Sequence, residues 1–472
     1  MKNKYKKGNL ALPGNPRYQP KSMIPYFGYD NLVKPWIEVE LALLSVLWEI
    51  GKIPDEDYAL LTPEKREEIM SITTTQVDER ERKVTKHDIR ALVQLIQERI
   101  PPRLRKWVHF TATSFDIRDT GTILAFERAF LNVTLPTIDK LIKILAEKVE
   151  EYAQIRQIGR THGQHALPIT VGFWLATILV RLLNCRERLV ITCNDLRGKF
   201  SGAVGAYNAQ IGLLGQNIEK RVLEKLGLLP AKISTQILPP EPLADFLHAH
   251  VLLSACLAQL ARDCRHLQRS EISEIRERFE KKQVGSSTMP HKKNPVSFEN
   301  IEGIFIIVKN EYHKVLDNLI SEHQRDLVGS SVSREFPGIV VLVQYQLERM
   351  IKVISKMEID KEALERNFNL NSHLILAEPL YLVLQMAGYE GDANEFVKRE
   401  LIPRAKPEKP LLSVLEELAQ KDPKLKEAVD RIPQDIKSLL CNPKDYVGLA
   451  IEKAKEIAKL AKETVNSLFF AP

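Results

Sequence analysis

The sequence lacks an apolar run long enough to cross a membrane. Its longest uncharged apolar run, residues 166–180, has 15 residues, whereas a helix needs about 20 to span a bilayer. The basic amino terminus, Met1–Lys7, has no apolar core of the kind that a signal peptide carries. The sequence therefore predicts a cytoplasmic protein with no membrane partner.

Cysteine is also scarce, and its five copies show no C-x-x-C spacing. Four of them fall in apolar stretches with helical spacing, which is typical of buried thiols in a reducing compartment. The five residues are Cys185, Cys193, Cys256, Cys264 and Cys441.

Charge of one sign is not concentrated anywhere in the chain. The formal net charge of +7 is spread along the 472 residues. This distribution suits an anionic small substrate without demanding a nucleic acid. Because no nucleic-acid-binding motif is present either, we expect no nucleic acid partner.

Strand patterns are almost absent, and helical spacing of apolar residues dominates. Residues 36–50 and a segment from about Thr85 predict helices in the amino-terminal part. Five long amphipathic patterns follow at 114–155, 166–199, 242–283, 296–320 and 335–357. We expect a kink at Pro136 in the first of these. Their apolar residues lie on more than one face, which calls for a bundle larger than one chain can close.

We therefore predict an all-α protein with a central five-helix rod, divided into three helical domains. Residues 1–112 form an amino-terminal domain with an irregular arm, and residues 113–360 form the long-helix bundle. Residues 361–472 form a small domain of shorter helices separated by proline and glycine.

The stretch from Gly285 to Pro295 has neither a helical nor a strand period and predicts a loop. Two serines in it offer hydroxyls, and Lys292 and Lys293 offer positive charge. Asn294 and Pro295 predict a helix start, with Asn294 as the N-cap and Pro295 at the first helical position. Such a loop can hold an anion beside a potential base. A basic surface loop that caps a helix is the alternative left open by composition.

This stretch closely resembles the signature loop G-S-S-x-M-P-x-K-x-N-P of the fumarase/aspartase superfamily, whose members run eliminations and additions on succinyl compounds. The resemblance implies that Ser286 is the general base and that Lys292 and Asn294 hold a substrate carboxylate. It implies that Glu299 orients a catalytic histidine, although a first-turn acid can also simply complement the helix dipole. It further implies that four five-helix rods pack into the 20-helix core of a homotetramer.

A polar insert, residues 159–166, separates two of the long helical patterns. Its histidines, His162 and His165, could bind a metal, but no Cys, Asp or Glu close in sequence completes a site, so we predict no metal. A loop histidine with a structural role is a further alternative. The insert resembles the segment of adenylosuccinate lyases whose Thr-His pair contacts substrate and supplies the general acid, which implies these roles for Thr161 and His162. Imidazole suits the acid because its pKa lies near 7.

Several other segments resemble substrate-binding parts of the adenylosuccinate lyase family, although each alone could be a solvated charge or a helix end. The residues thereby implied to bind the substrate phosphate are Arg17, His109, Arg325, Ser330 and Arg334. The residues implied to contact other parts of the substrate are Tyr18, His87, Asp88, Thr113, Ser114 and Gln236. The resemblance also implies a catalytic role for His87.

This combination favours the adenylosuccinate lyase family within the superfamily. The expected reaction is β-elimination of fumarate from adenylosuccinate, and from the succinylated aminoimidazole carboxamide nucleotide (SAICAR) of purine biosynthesis, with no cofactor. The alternatives are an argininosuccinate lyase, a carboxymuconate cycloisomerase, or a non-catalytic structural relative. One departure is residues 238–242, LPPEP, where many family members carry Arg or His.

The polar segments that carry His87, His162 and Ser286 lie at opposite ends of long helical patterns. One rod cannot bring them together. We therefore predict a homotetramer whose active sites are shared between subunits.

Overall fold

The computed structural model describes residues 12–278, 288–289 and 291–466. Helices account for most of these residues, so the predicted all-α class is confirmed. The described strands form two antiparallel pairs, β1 with β2 and β3 with β4. Their bounds are β1 Arg156–Thr161, β2 Gln164–Thr170, β3 Ile275–Arg276 and β4 Glu358–Ile359.

The amino-terminal part contains one long helix and several short ones. The helix predicted at residues 36–50 is confirmed as α2, and the helix predicted from about Thr85 begins three residues later, with His87 as its N-cap. The bounds are α1 Ile24–Phe27, α2 Lys34–Glu49, α3 Asp55–Tyr58, α4 Pro63–Met70, α5 Thr74–Arg80 and α6 Asp88–Arg99.

The middle of the chain contains the long helices. A π-helical turn, Phe130–Thr134, joins α7 to α8, and Pro136 lies in the first turn of α8. Together they form a rod about 57 Å long at 1.5 Å per residue. The bounds are α7 Ser114–Ala129, α8 Leu135–Glu151, α9 Val171–Asn194, α10 Glu219–Glu224, α11 Glu241–Leu267, α12 Val296–Asp317, α13 Val328–Val332 and α14 Pro337–Ile354.

Shorter helices follow, as predicted, and most of them pack around a second hydrophobic cluster. That cluster also takes in Ile158 of β1. The division of the chain at residues 112 and 360 stays a prediction. The bounds are α15 Lys361–Leu370, α16 Ser372–Ile375, α17 Ala377–Met386, α18 Ala393–Phe396, α19 Leu411–Ala419, α20 Pro423–Asp430, α21 Gln434–Cys441 and α22 Ala450–Asn466.

The five-helix rod is confirmed, with α7–α8 as one of its members. α11 packs against α9, α12 and α14, while α8 packs against α9 and α14. The last helix, α22, also packs along α8 and α9. It does so through buried Ala454, Ala458 and Ala461, whose small side chains allow close approach. The sequence pattern did not predict this contact.

The predicted start of the helix at residue 166 is wrong, because residues 166–170 belong to β2. Pro168 removes a backbone donor, and Ile169 and Thr170 are β-branched, so both features favour a strand over a helix. Thr170 then caps α9 by accepting a hydrogen bond from the Phe173 N–H at 3.0 Å.

The predicted end of the helix over 242–283 is also wrong, because α11 ends at Leu267. Ser273 has a φ of +55°, which a right-handed helix does not allow. β3 follows directly and pairs with β4. Residues 279–283 lie outside the described part of the chain.

α11 has the length and apolarity that a membrane-spanning helix would have. In its most apolar window, however, 67% of the residues are buried inside the protein. Because α11 packs against α9, α12 and α14, we interpret it as the core helix of the bundle.

Candidate active site

Two cavities lie at opposite ends of the long helices. The first, here called the arginine cavity, has a volume of about 580 Å³ and is lined by Arg118, Arg325 and Arg334 among others. The second, here called the loop cavity, has a volume of about 760 Å³ and is lined by Lys292, Asn294 and Glu299 among others.

The length of α12 gives the separation of the two cavities. Glu299, in its first turn, lines the loop cavity, and Val315, in its last turn, lines the arginine cavity. These two residues are 16 positions apart in the helix, which corresponds to about 24 Å. α11 also reaches both cavities, through Leu243 and Arg265, which are 22 positions apart, or about 33 Å.

The His-Asp pair lies at the arginine cavity. His87 caps α6, and its Nδ1 accepts a hydrogen bond from the Arg90 N–H at 3.4 Å. Its other ring nitrogen, Nε2, lies 3.4 Å from the Ser114 hydroxyl at the start of α7. The structure thus brings together two residues, His87 and Ser114, that are 27 positions apart in the chain.

Two of the three predicted phosphate-binding arginines, Arg325 and Arg334, line this cavity. Arg334 donates a hydrogen bond to Asp88 Oδ2 at 3.2 Å. The Arg325 guanidinium lies 4.0 Å from the centre of the Phe115 ring, and burial lowers its pKa. Ser330, between them in sequence, lies in the short helix α13.

The segment that departs from the family pattern forms one wall of the arginine cavity, through Leu238, Pro239, Pro240 and Pro242. Leu238 donates its N–H to Asp119 Oδ2 at 2.9 Å. Burial raises the pKa of Asp119 to about 6. Gln236, just before this segment, is half-buried. An apolar wall therefore lies over this carboxyl at the position where the resemblance to the family implies a basic side chain.

The start of α7 is fixed by a buried carboxylate. Thr113 and Asp116 form a capping box, in which Thr113 donates its N–H to Asp116 Oδ2 at 2.9 Å. Asp116 is fully buried, pairs with the ammonium of Lys199, and accepts a hydrogen bond from the Ser201 N–H at 2.9 Å. The Thr113 amide is therefore already paired, which leaves the Ser114 hydroxyl as the better placed group for a ligand.

His109 pairs with a buried carboxylate. Its backbone has a φ of +64°, and its Nδ1 lies 2.7 Å from Glu40 Oε1. Burial lowers the pKa of His109, but the charge and hydrogen bond of Glu40 raise it, and the net shift is upward. This favours an imidazolium, which is the form that would attract a phosphate.

The polar insert forms a β-hairpin. Thr161 pairs with Gln164, so His162 and Gly163 make a two-residue turn. Both turn residues have positive φ, 53° and 76° respectively, as a type I′ turn requires. This geometry leaves the side chain of His162 exposed at the tip of the hairpin.

A buried glutamate holds the base of the hairpin. Glu274 is fully buried and accepts a hydrogen bond from Arg160 at 2.6 Å, from Gln157 at 2.9 Å and from Asn367 of α15 at 2.9 Å. It lies three residues before Glu277, which lines the loop cavity. The hairpin is therefore anchored at the loop-cavity end of the molecule.

The start of α12 differs from the prediction by one residue. The helix begins at Val296 with Pro295 as its N-cap, so Asn294 is not the capping residue. The buried carboxylate of Glu277 accepts a hydrogen bond from the Phe298 N–H at 2.9 Å instead, which is the role that a capping side chain otherwise performs. Ser286 lies outside the described residues.

The Arg-Tyr pair of the arm lies nearer to the loop cavity. Tyr18 packs against Tyr345 of α14, with ring centres 5.2 Å apart and the ring planes tilted by 52°. Tyr345 in turn donates its hydroxyl to Asn300, near the start of α12, at 3.1 Å. Within one chain, Arg17 lines neither cavity, whereas Arg325 and Arg334 line the arginine cavity.

Two protein families match parts of the sequence. One, described as "Lyase", matches residues 45–309, and the other, described as "Adenylosuccinate lyase C-terminal", matches residues 321–434. The adenylosuccinate lyase of Archaeoglobus fulgidus is 35% identical over 97% of this chain and 100% of its own length. That of Methanocaldococcus jannaschii is 33% identical over 94% of this chain and 95% of its own.

This chain belongs to the adenylosuccinate lyase family. It is therefore a lyase, as the sequence predicts. The fold agrees with two solved structures, each covering 94% of this chain and 98% of its own. The 3-carboxy-cis,cis-muconate lactonizing enzyme of Pseudomonas putida is 23% identical with a TM-score of 0.78. The fumarate lyase of Mesorhizobium sp. BNC1 is 22% identical with a TM-score of 0.79.

Sequence reasoning missed several residues that support this adenylosuccinate lyase-family site. Asp116 could have been found, because it completes a capping box three residues after Thr113. Glu274 and Arg118 had no such signal. Their roles depend on contacts with Arg160, 114 positions away, and with Asp88, 30 positions away.

Proposed function

We propose that this chain catalyses the anti β-elimination of fumarate from adenylosuccinate, giving AMP, and from SAICAR, giving the corresponding carboxamide nucleotide. The observation that carries this proposal is that Arg325 and Arg334, from the pattern R-x-x-x-x-S-x-x-x-R, line one cavity with Asp88. A substrate with a phosphate at one end explains why a lyase would gather arginines away from its signature loop.

The chemistry needs a base, an acid and positive charge. Ser286 takes the proton from the carbon next to the carboxylate, and Lys292 stabilises both the alkoxide and the developing charge on the substrate. His162 then protonates the leaving nitrogen. Asn294 holds the carboxylate, Glu299 orients a histidine, and His87 contacts the substrate near the acid. No metal or cofactor takes part.

The active site in this proposal is shared between subunits of a cytoplasmic homotetramer. The roughly 24 Å along α12 is too far for one nucleotide substrate to meet both cavities of one chain. The arginine cavity of one subunit must therefore face the loop cavity and the hairpin of others. α12 supports this, because its Ile306 and Leu316 side chains are 56% and 44% exposed in the single chain, and apolar faces of this kind favour burial against another subunit.

The phosphate in this proposal is held by Arg325, Ser330 and Arg334 of one subunit and by Arg17 of another. Arginine can meet a phosphate with two parallel charge-assisted hydrogen bonds, which lysine cannot copy. We expect Arg334→Gln to cost about 1.5–3 kcal/mol of binding to the nucleotide substrate. The measurement is kcat/KM on adenylosuccinate and on its dephosphorylated nucleoside.

Arg404→Gln is the matched control, since it removes a half-exposed arginine that pairs with Glu400 at 2.7 Å, outside both cavities. The control should change neither activity. If Arg334→Gln lowered kcat/KM equally on the nucleotide and on the nucleoside, Arg334 would serve the succinyl end or the fold. The nucleotide assignment would then lose its main support.

A further inference from the structure

Asp88 lies between two arginines that come from different parts of the chain. Its Oδ2 atom is 3.2 Å from Arg334 Nη2 and 3.5 Å from Arg118 Nη1. Its Oδ1 atom accepts a hydrogen bond from the Ile89 N–H at 2.8 Å. Only 12% of the Asp88 side chain is exposed. A carboxylate with so little exposure to water is stabilised by a cation close to it.

The two arginines differ in how firmly they are held. Arg118 is 14% exposed, and its guanidinium lies 5.0 Å from the centre of the Phe115 ring and 5.9 Å from that of Trp36. Arg334 is 58% exposed and lies in a single 3-10 turn, Ser333–Glu335. Arg118 is thus fixed in the wall of the arginine cavity, while Arg334 can turn toward a ligand at little cost.

A phosphate at this site would compete with Asp88 for Arg334. A phosphate monoester carries close to two negative charges at neutral pH, and it offers the guanidinium two strong acceptors. When Arg334 turns to the phosphate, Asp88 loses one of its two arginines. Asp88 stays paired only if Arg118 keeps its place.

We propose that Arg118 is a positioning residue that holds Asp88 when substrate phosphate takes Arg334 away. Arg118 acts through Asp88 and does not touch the phosphate. Because Asp88 follows His87 directly, the same contact keeps His87 in place beside Ser114 during the reaction. This inference rests on the proposed nucleotide substrate and adds a residue that the resemblance to the family did not bring out.

The test compares Arg118→Gln with Arg128→Gln. Arg128 is a matched control, because it lies on the same helix, α7, and pairs with Glu38 of α2 at 2.7 Å, away from both cavities. We expect Arg118→Gln to lower kcat/KM on adenylosuccinate at least about tenfold, since a buried carboxylate is left unpaired in the complex. With the dephosphorylated nucleoside as substrate, Arg334 stays paired with Asp88, so kcat/KM should fall by less than about threefold. Arg118→Lys should restore part of the loss.

A direct binding measurement separates this inference from the proposed function. Calorimetric titration with inorganic phosphate, of wild type, Arg118→Gln, Asp88→Asn and the double variant, does not depend on turnover. We expect Arg118→Gln to weaken phosphate binding by at least about tenfold and to have little effect in the Asp88→Asn background, because Arg118 acts only through Asp88.

Three results of the titration would overturn the inference: no weakening of phosphate binding by Arg118→Gln, the same weakening in both backgrounds, or no phosphate binding by the wild type. The second result would mean that Arg118 attracts phosphate directly. Equal losses of Arg118→Gln on nucleotide and nucleoside would also overturn it, since they would show a purely structural role. A wild type that binds phosphate as expected but does not turn over adenylosuccinate would refute the proposed function alone.

Discussion

Ser286→Ala is expected to lower kcat on adenylosuccinate by at least about a hundredfold, because it removes the proposed proton acceptor and no other group of the proposed site. A serine hydroxyl is a weak base, so stabilisation of its alkoxide is assigned in this proposal to Lys292, the loop amides and the start of α12. The chain should fold and assemble as the wild type does, because loss of a single hydroxyl in the signature loop is expected to change stability little. The measurements are kcat, the melting temperature and the assembly size.

Ser287→Ala is the matched control for that prediction. It removes the neighbouring hydroxyl of the same signature loop, and it should keep kcat within about tenfold of wild type, or 1.4 kcal/mol of activation free energy. If Ser286→Ala kept its activity within the same range, the general base would have to be another residue.

Mixing two inactive chains is expected to restore activity. His162→Ala removes the proposed acid and Ser286→Ala the proposed base, so each variant alone should be inactive. If the two residues of one site come from different subunits, about a quarter of the sites in a randomly mixed symmetric oligomer should have both intact. The motivation is the sequence prediction of active sites shared between subunits, since the hairpin with His162 and the signature loop with Ser286 come from separate parts of the chain.

The control for the mixing experiment is a chain that carries both substitutions, co-expressed with either single variant. These mixtures should stay well below the mixture of the two single variants. Subunit exchange must be shown separately, by two affinity tags on different chains. No recovery of activity despite proven exchange would mean that His162 and Ser286 of one site come from the same subunit.

Much of the fold could be predicted because helical periodicity is a local property. The predicted starts and ends of α2, α12 and α14 agree with the structure within about three residues. The β-hairpin could not be predicted in this way, because residues 166–170 continue an apolar run that α9 completes. Pro168 and the β-branched pair after it carried the signal that a strand intervenes.

The candidate site could be predicted only where its residues form a motif within one stretch. The signature loop and the Arg325–Arg334 pattern are of this kind. The contacts of Asp88 with Arg118 and Arg334 could not be predicted in this way, because Asp88 and Arg334 are 246 positions apart. Glu274 likewise becomes a support for the hairpin only when β1, β3 and α15 pack together.

The proposed function is tested most directly by incubating the purified chain with adenylosuccinate and following the change in absorbance, with fumarate and AMP identified as products. Argininosuccinate and carboxymuconate serve as parallel substrates for the two nearest alternatives. We predict fumarate and AMP from adenylosuccinate and no reaction with the other two. Turnover of either of those in place of adenylosuccinate, or no turnover of any by the correctly assembled protein, would contradict the proposed function.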